Sequence, residues 1–423
     1  MPSPGFRAAD RTLPPNVEQH NTPGQAGAQR VAPLRERLYA RDLCTDRIDF
    51  QRVLFPRDGE EQVSLQRLGW NSYFDSLWQE RGQTEWLPAR VISQQRGLWR
   101  IAGDFAECWA EISGTLRAAT EKGADWPAVG DWVAAEMLSG GGRPLIHKVL
   151  PRRSKFVRKV AGRRLEEQVI AANVDTAFVV MALDGDFNVR RLERYLAQCW
   201  ESGAKSVVVL NKADDCGDVA ARIGEVQGIA ASLPVLAISA RTGEGVEALD
   251  TFLAPGQTVV LLGSSGVGKS TLVNHFLQHD AQAVRSVRAS DSRGRHTTTS
   301  RELFALPGGA LLIDTPGLRE LQLWGASEGV ERTFSDIEEL AIQCKYGNCG
   351  HTTEPGCAVQ AALAEGRLEE ERLESWRKLG REQEFVRRKV DPEARQHEKE
   401  RVKQLHRGAK QKYDQRRKEG GKE

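Results

Sequence analysis

The middle of this chain contains the sequence Gly263-Ser264-Ser265-Gly266-Val267-Gly268-Lys269-Ser270, which is the strongest indicator of how this region folds. It follows an apolar run at 258–262 and precedes a helix-like segment that starts at Thr271. This strand–loop–helix context separates a phosphate-binding loop of the pattern G-x-x-x-x-G-K-[ST] from a chance match. Glycines let backbone amides converge on phosphate oxygens, and the N-terminus of the helix adds partial positive charge. The stretch therefore predicts a nucleotide site.

Within that loop we assign a role to each polar group. Lys269 is expected to reach the β- and γ-phosphates, and Ser270 to bind Mg²⁺. The remaining contacts are expected from the backbone and small side chains of the loop and of the first helical turn, namely Gly263, Ser264, Ser265, Gly266, Val267, Gly268 and Thr271.

Upstream of the loop lie residues suited to reading the base. Asn211-Lys212-Ala213-Asp214 follows an apolar run at 206–210, and Ser239-Ala240 follows another. A carboxylate at Asp214 accepts from both N1–H and the 2-amino group of guanine, whereas adenine offers neither donor. GTP is thus favoured over ATP. Asn211 is expected to brace the loop and the base, Lys212 to lie over the ring, and the Ala240 amide to meet the guanine O6.

Downstream, Asp314-Thr315-Pro316-Gly317 ends an apolar run at 310–313. Asp314 is expected to hold Mg²⁺ through water, and the Gly317 amide to bond the γ-phosphate. The polar segment 293–299 lies where a mobile effector loop must supply a hydroxyl to Mg²⁺. Thr298 is our first choice for that ligand, with Thr297 and Thr299 as open alternatives.

The group that orients the attacking water is less clearly marked. Many small GTPases carry a glutamine just after the glycine of the D-T-P-G motif, but this chain has Leu318 there. His296 is the nearest candidate to take over that catalytic role. A histidine in such a loop also serves often as a structural or binding residue, and both interpretations stay open. The catalytic set that we predict is Lys269, Thr298 and His296.

The order of these motifs is informative in itself. In an ordinary guanine-nucleotide switch protein the phosphate loop comes first and the base-reading motifs last, whereas here the base-reading motifs come first. This order indicates a circular permutation. Apolar runs at 177–183, 207–210, 235–238, 259–262 and 311–313 alternate with helix-like segments, which predicts a parallel sheet covered on both faces. All the motifs fall at strand C-termini, where open α/β sheets bind ligands.

Two flanking regions predict further modules. Short alternating runs at 89–92, 98–102, 108–112 and 131–135 favour a five-stranded oligonucleotide-binding barrel. A short helix with an aromatic stripe at 65–79 is expected to pack on the next domain. The basic stretch 151–159 suits an RNA phosphate backbone but is equally typical of a solvated linker.

A cysteine cluster follows the nucleotide motifs. Cys344, Cys349, His351 and Cys357 form the pattern C-x₄-C-x-H-x₅-C, which predicts a closed tetrahedral shell for one structural zinc ion. Four protein ligands leave no open position for catalysis. The other cysteines, Cys44, Cys108, Cys199 and Cys216, show no grouping and are expected to be reduced thiols. The basic end at 395–422 suits either a solvated helix or an RNA groove.

The gross properties bound the class of protein. A chain of 423 residues is expected to form two to three domains, and its formal charge of +2 says little about partners. No apolar run reaches the roughly 18–20 residues needed to cross a bilayer, so a cytoplasmic protein without a membrane partner is expected. We also expect a monomer. The expected segments are a poorly ordered extension (1–64), a helix and barrel (65–160), a permuted α/β GTPase domain (161–335), a zinc-binding α-helical domain (336–390) and a basic tail (391–423).

Together, the permuted order, the segment 293–299, the upstream barrel and the cysteine cluster resemble the bacterial ribosome small-subunit-dependent GTPases, the RsgA or YjeQ family. The resemblance covers roughly 65–388. It implies a barrel, a permuted GTPase domain and a zinc domain that contact ribosomal RNA late in small-subunit maturation. It also implies that the subunit stimulates hydrolysis and that the family's catalytic histidine corresponds to His296. The permuted order suggests the further hypothesis that GTP holds the protein on the immature subunit and that hydrolysis releases it. The N-terminal extension and the basic tail depart from the compact family pattern.

Two other functions remain open from the sequence. One is an RNA-binding assembly scaffold whose guanine nucleotide is structural. The other is a GTPase that acts on a non-ribosomal RNA.

Overall fold

The computed structural model describes residues 64–81, 85–95, 97–120, 125–159, 167–277, 301–314, 328–390 and 396. The strands are β1 Leu87–Gln95, β2 Leu98–Gly103, β3 Phe105–Ile112, β4 Trp132–Glu136, β5 Leu145–Val149, β6 Lys155–Lys159, β7 Glu167–Ala172, β8 Thr176–Ala182, β9 Lys205–Asn211, β10 Val235–Ala237, β11 Thr258–Leu262, β12 Arg301–Ala305 and β13 Leu311–Asp314. The α-helices are α1 Ser72–Gln79, α2 Gly114–Ala119, α3 Val189–Ser202, α4 Val219–Ile229, α5 Lys269–Leu277, α6 Glu328–Thr333, α7 Ser335–Ile342, α8 Ala358–Ala364 and α9 Glu370–Val390. Short 3₁₀ helices include Ala213–Asp215 and Val246–Phe252.

Strands β1 to β5 close into a barrel. Their order is β1-β2-β3-β5-β4, and β4 pairs back with β1. The β3–β5 pair is parallel, while the other pairs in the barrel are antiparallel. Alternate side chains fill the interior, among them Val91, Ile101, Val133 and Ile146. The predicted five-stranded barrel is confirmed.

The aromatic stripe covers one side of this barrel. Asn71 caps α1, and Phe74 on the helix is buried. The rings of Trp70 and Phe74 lie 4.7 and 5.6 Å from that of Trp132 on β4. The helix is shorter than the predicted segment because 65–69 form turns before the cap. Packing on the neighbouring domain therefore accounts for the stripe.

The basic stretch after the barrel is a strand rather than a solvated linker. Strand β6 pairs with β7 in a separate two-stranded sheet, and Phe156 on β6 is buried. Arg152, just before β6, donates to both carboxylate oxygens of Asp131, at 2.8 and 2.7 Å. Arg152 thus has a structural role. A contact of this stretch with RNA stays a prediction.

The second half of the sheet is the α/β domain. Its strand order is β10-β9-β8-β11-β13-β12, in which every neighbouring pair is parallel except β12–β13. Phe178 and Val180 on β8 pack in one core cluster and Val179 in the other, because alternate side chains of a strand face opposite sides. Helix α5 contributes to the cluster of Phe178 and Val180, and helix α3 contributes to the cluster of Val179. The predicted sheet, covered on both faces, is confirmed.

Barrel and α/β sheet are continuous. Strand β12 pairs antiparallel with β1 at Ser93↔Glu302 and Gln94↔Arg301. Beside this junction the Arg90 side chain is fully buried, and burial lowers its pKa to about 10. Its guanidinium donates to neutral acceptors, which are Gly130 O (3.2 Å), Asn173 O (3.3 Å), Thr258 Oγ1 (2.9 Å) and Leu68 O.

Helices α6 to α9 form a C-terminal module with its own core, which includes Val330, Phe334, Val359 and Leu373. Ala197 of α3 packs in that core as well. A Cβ added to Gly329 on α6 would lie 2.3 Å from the Ala197 carbonyl oxygen, so the two helices are in close contact. The predicted small α-helical module is confirmed.

The predicted domain limits stay predictions. The limit at 160/161 falls between β6 and β7, and the one at 335/336 falls within α7. The extension (1–64) and the basic tail (391–423) lie outside the described residues, apart from Ser64 and Gln396.

Candidate functional site

The phosphate-loop sequence forms a tight turn between β11 and α5. Gly263, Gly266 and Gly268 have φ angles of 140°, 86° and 96°, in the region that side chains disfavour. Lys269 Nζ donates to the carbonyl oxygens of Gly263 (2.7 Å) and Ser264 (2.5 Å). The loop is therefore wrapped around its own lysine, with the ammonium group at its centre.

Asn211 joins this loop to the base-reading motifs. Its Nδ2 donates to Val267 O at 2.7 Å, and its Oδ1 accepts from the Ala240 amide at 2.9 Å. A Cβ at Gly268 would lie 2.2 Å from Asn211 Nδ2, so only glycine permits this approach. Asn211 thus ties Ala240 to the phosphate loop, and its contact with the base stays a prediction. The Ala240 amide is engaged by Asn211, so a contact with guanine O6 requires that amide to be shared or exchanged.

Asp214 lies near the surface with one oxygen unsatisfied. Its Oδ2 pairs with Arg241, while its Oδ1 is buried and has no hydrogen-bond partner among the described residues. The neighbouring Ser239 hydroxyl, followed by Arg241, lowers the pKa of the Asp214 carboxyl. The carboxylate is therefore ionised at neutral pH, with an acceptor available for the donors of a guanine edge.

Lys212 has left-handed backbone, with φ of 64°. Its Nζ lies 2.6 Å from Asp184 Oδ2, and this hydrogen bond is the main cause of a lowered pKa at Asp184. Sequence reasoning missed Asp184 and Arg241. Arg241 had a local signal, because it directly follows Ser239-Ala240, whereas Asp184 had only its position after β8.

A further contact comes from α3. Arg191 Nη1 donates to the Ser264 hydroxyl at 2.9 Å. No local pattern pointed to this arginine, since 72 residues of sequence separate the two positions.

The rest of the predicted set is placed only in part. Asp314 ends β13 opposite Glu302 and is exposed. Ser270 and Thr271 lie in the first turn of α5. His296, Thr297, Thr298, Thr299, Gly317 and Leu318 lie outside the described residues.

The four predicted zinc ligands come together in the C-terminal module. The candidate ligand atoms of Cys344, Cys349, His351 and Cys357 all lie within 4.8 Å of one another. His351 Nδ1 lies 3.5 Å from the sulfurs of both Cys344 and Cys357, which are 3.8 Å apart. A tetrahedral zinc ion with Zn–S distances of about 2.3 Å places its sulfurs about 3.8 Å apart. The cluster therefore fits a metal ion of that kind.

Hydrogen bonds fix the loop that carries these ligands. The His351 carbonyl accepts from Gln360 Nε2 (2.6 Å) and from Arg377. The Glu354 carboxylate accepts from the amides of Thr352 (2.8 Å), Gly350 and Thr353, and these bonds, led by that of Thr352, lower its pKa to about 2. These hydrogen bonds orient the loop that carries the four ligands.

The cysteines that the structure describes are free thiols, including Cys108, Cys199 and Cys216. Burial raises the pKa of Cys199 to about 12. Across the described ranges, none of the helices combines the length and apolar character that a membrane crossing requires.

Comparisons with known proteins agree with this geometry. The family model of the RsgA GTPase matches residues 149–324. A small ribosomal subunit biogenesis GTPase RsgA of Opitutus terrae is 46% identical over 355 residues, which cover 82% of this chain and 97% of that protein. An RsgA 2 of Lactiplantibacillus plantarum is 45% identical, with 73% and 86% covered.

Solved structures support the same fold. YjeQ from Thermotoga maritima matches with a TM-score of 0.52 and 25% identity, over 70% of this chain and 98% of that one. YloQ, described as a circularly permuted GTPase, matches with a TM-score of 0.50 and 23% identity, over 71% and 96%. The phosphate loop, the base-reading strands that precede it and these matches together place the chain in the RsgA GTPase family.

Proposed function

We propose that this GTPase is a cytoplasmic late assembly factor of the small ribosomal subunit, which binds ribosomal RNA and leaves when GTP is hydrolysed. The observation that carries the proposal is the backbone pairing of β12 with β1, because it joins a barrel of the oligonucleotide-binding type directly to the nucleotide sheet. The relatives are named as small ribosomal subunit biogenesis GTPases, and this supports the choice of partner.

In the proposed site, the chain's own groups position GTP rather than react with it, since phosphoryl transfer depends on positioning and electrostatics. Asp214 selects guanine, and Asn211 ties the base loop to the phosphate loop. Lys269 moves from the Gly263 and Ser264 carbonyls to the phosphates. Ser270 and Thr298 are the proposed magnesium ligands, Asp314 would hold the ion through water, and the ion would neutralise charge on the phosphates. His296 remains the proposed group for orienting water.

We also propose that the cluster of Cys344, Cys349, His351 and Cys357 holds one structural zinc ion. The sulfur and nitrogen donors and their spacing suit zinc. Its expected contribution is to the folding of the module, since four protein ligands occupy every tetrahedral position.

The test of the function is GTP hydrolysis by purified protein with and without purified small subunits. Stimulation by the subunit is expected. An RNA-binding scaffold with a structural nucleotide would show none, and a GTPase that acts on another RNA would respond to that RNA instead. Either result would refute the proposed partner.

The base-reading role is tested by Asp214→Asn. Loss of a charged acceptor is expected to weaken GTP binding roughly 10- to 150-fold, because hydrogen bonds to charged groups contribute about 1.5–3 kcal/mol. Asp215→Asn is the matched control, since Asp215 also pairs with Arg241, at 3.1 Å, but is half exposed. Equal affinities of the two variants in a fluorescent-nucleotide titration would contradict the assignment of Asp214.

A further inference from the structure

Helix α3 contacts the phosphate loop and the C-terminal module within five consecutive residues. Arg191 reaches the loop. On the side of the module, Glu193 pairs with Arg372 and Arg194 pairs with Glu382. Arg190 in turn donates to Glu193. No nucleotide motif includes this helix. Its contacts therefore call for an explanation other than sheet packing.

The contact with the loop is a specific hydrogen bond. Arg191 Nη1 donates to Ser264 Oγ at 2.9 Å and pairs with Asp186 Oδ2 at 2.6 Å. The hydrogen bond that Arg191 donates to Asp186 is the main cause of the raised pKa of Arg191, so the guanidinium is held charged and in place. Lys269 holds the carbonyl of the same serine at 2.5 Å. Ser264 is thus fixed by its side chain from α3 and by its backbone from the loop lysine.

The contact with the module is a set of ion pairs. Glu193 is fully buried, and its Oε1 accepts from Arg190 (2.6 Å) and from Arg372 of α9 (2.8 Å). Arg372 also binds both carboxylate oxygens of Asp336 on α7, at 2.6 and 2.7 Å. Since a buried carboxylate without a partner is costly, α3 and the module are expected to move as one body.

Exposed pairs reinforce the same contact. Arg194 forms a bidentate pair with Glu382 of α9, at 2.6 and 2.9 Å, and Arg190 pairs with Glu369 at 2.6 Å. Leu192 and Leu196 meanwhile anchor α3 in the core of the sheet. Among the described residues of α3, Arg191 is the one with a hydrogen bond to the phosphate loop.

We propose that Arg191 is a positioning residue for the phosphate loop and that α3 transmits the occupancy of that loop to the C-terminal module. This inference rests on the proposed nucleotide site. When nucleotide binds, Lys269 leaves the Ser264 carbonyl. The hydrogen bond from Arg191 to the Ser264 hydroxyl then persists and continues to position that residue. Any shift of Ser264 is then passed through Arg191 to α3, and from Glu193 to Arg372.

The experiment is amide hydrogen exchange of the full-length protein, without ribosomes, in the presence and absence of a saturating non-hydrolysable GTP analogue. In the wild-type protein the analogue is expected to change exchange in α9 by at least about fivefold, the lower end of usual coupling between sites. Arg191→Ala removes the bond from the side of the helix and is expected to abolish the change in α9 while protection within α5 persists.

Two further variants complete the test. Glu382→Gln cuts the exposed pair on the module side and is expected to reduce the response in α9 without altering that in α5. Arg222→Ala is the matched control, because Arg222 lies on the neighbouring helix α4 with an exposed partner, Glu225, at 2.9 Å. It is expected to behave as the wild type.

The outcomes separate the two proposals. A prior titration shows whether the analogue binds at all, and failure to bind would overturn the nucleotide site itself and, with it, this inference. If the analogue binds but α9 does not respond in the wild type, or responds equally in Arg191→Ala, the route through α3 is wrong while the nucleotide site stands.

Discussion

The two junctions that hold this molecule together bury charge in different ways. Between barrel and sheet, Arg90 is a buried cation whose donors meet neutral oxygens. Between α3 and the C-terminal module, Arg372 is a buried cation that meets carboxylates on both sides. The first junction places one charge among dipoles, and the second pairs opposite charges.

This difference has consequences for how each junction responds to conditions. The hydrogen-bond acceptors of Arg90 do not titrate, and the nearby Asp175 and Asp131 carboxylates act on it only through space, so the barrel junction should respond to pH and salt less than the module junction does. The module junction contains partly exposed ion pairs, which salt screens and acid protonates. We therefore expect the barrel to stay attached under conditions that loosen the module.

Metal removal is expected to have the largest effect, and on one junction only. Structural zinc in small modules contributes about 10–16 kcal/mol of apparent binding free energy that is also folding free energy. Chelation should therefore unfold the module and leave the barrel and sheet intact. Trp376, whose ring lies 5.7 Å from that of His351, reports on the module by its fluorescence. A chelated protein whose thermal unfolding is unchanged would contradict this expectation.

Arg90→Met is expected to follow. The methionine fills space but leaves two buried oxygens, those of Leu68 and Asn173, without this donor, while Gly130 O still accepts from Asn173 Nδ2 at 3.1 Å. At about 1–3 kcal/mol for each unsatisfied group, the free energy of unfolding should fall by about 2–6 kcal/mol. Urea unfolding measures this, and the loss should be the same at low and at high salt. A loss that shrinks with salt would mean that Arg90 interacts mainly with distant charges.

Arg372→Met should cost about 3 kcal/mol, because it leaves Glu193 buried with only Arg190 as partner. The double change Glu193→Leu and Arg372→Met should recover most of that stability, since apolar residues of similar size often replace a buried ion pair without loss. Thermal unfolding of the single and double variants gives the comparison. If the double variant is no more stable than the single one, the desolvated charge is not the cause.

Arg194→Ala should have the smallest effect, about 0.2–1 kcal/mol, because the Arg194–Glu382 pair is partly exposed. Arg194 lowers the pKa of Glu382 below its ordinary value of 4.5. A carboxyl whose pKa is lowered on folding stabilises the protein above its unfolded pKa, and that contribution is lost as the pH falls through the folded one. Wild type and variant should therefore differ at neutral pH and low salt, and converge as the pH falls below the folded pKa of Glu382 or in about 1 M salt. A constant difference in unfolding free energy across pH would refute the pairing.

The parts of the fold that the sequence predicted are those with local signals. Apolar runs and glycine positions located β8, β9, β11 and β13, and the alternation of side chains located the barrel strands. The position of Asn211 directly after a strand also indicated a place near the nucleotide motifs, and the structure brings it against the phosphate loop. In each case the residues that determine the element are neighbours in the sequence.

The parts that it did not predict depend on pairing between distant residues. Gln94 pairs with Arg301 across more than two hundred residues, and no periodicity within either strand encodes that register. The same holds for the Arg191–Ser264 bond and for the burial of Arg90, which lies in a run that reads as an ordinary half-exposed strand. Long-range polar contacts become visible only when the chain has folded.

Gly268 has a consequence for how this site can change over evolutionary time. Because Gly268 has no side chain, Asn211 can form its hydrogen bond with the phosphate loop. Substitution at this one position would therefore disturb both phosphate binding and the choice of base. Neither property can be altered at this point independently of the other, and a lineage that alters its nucleotide preference must do so elsewhere in the pocket.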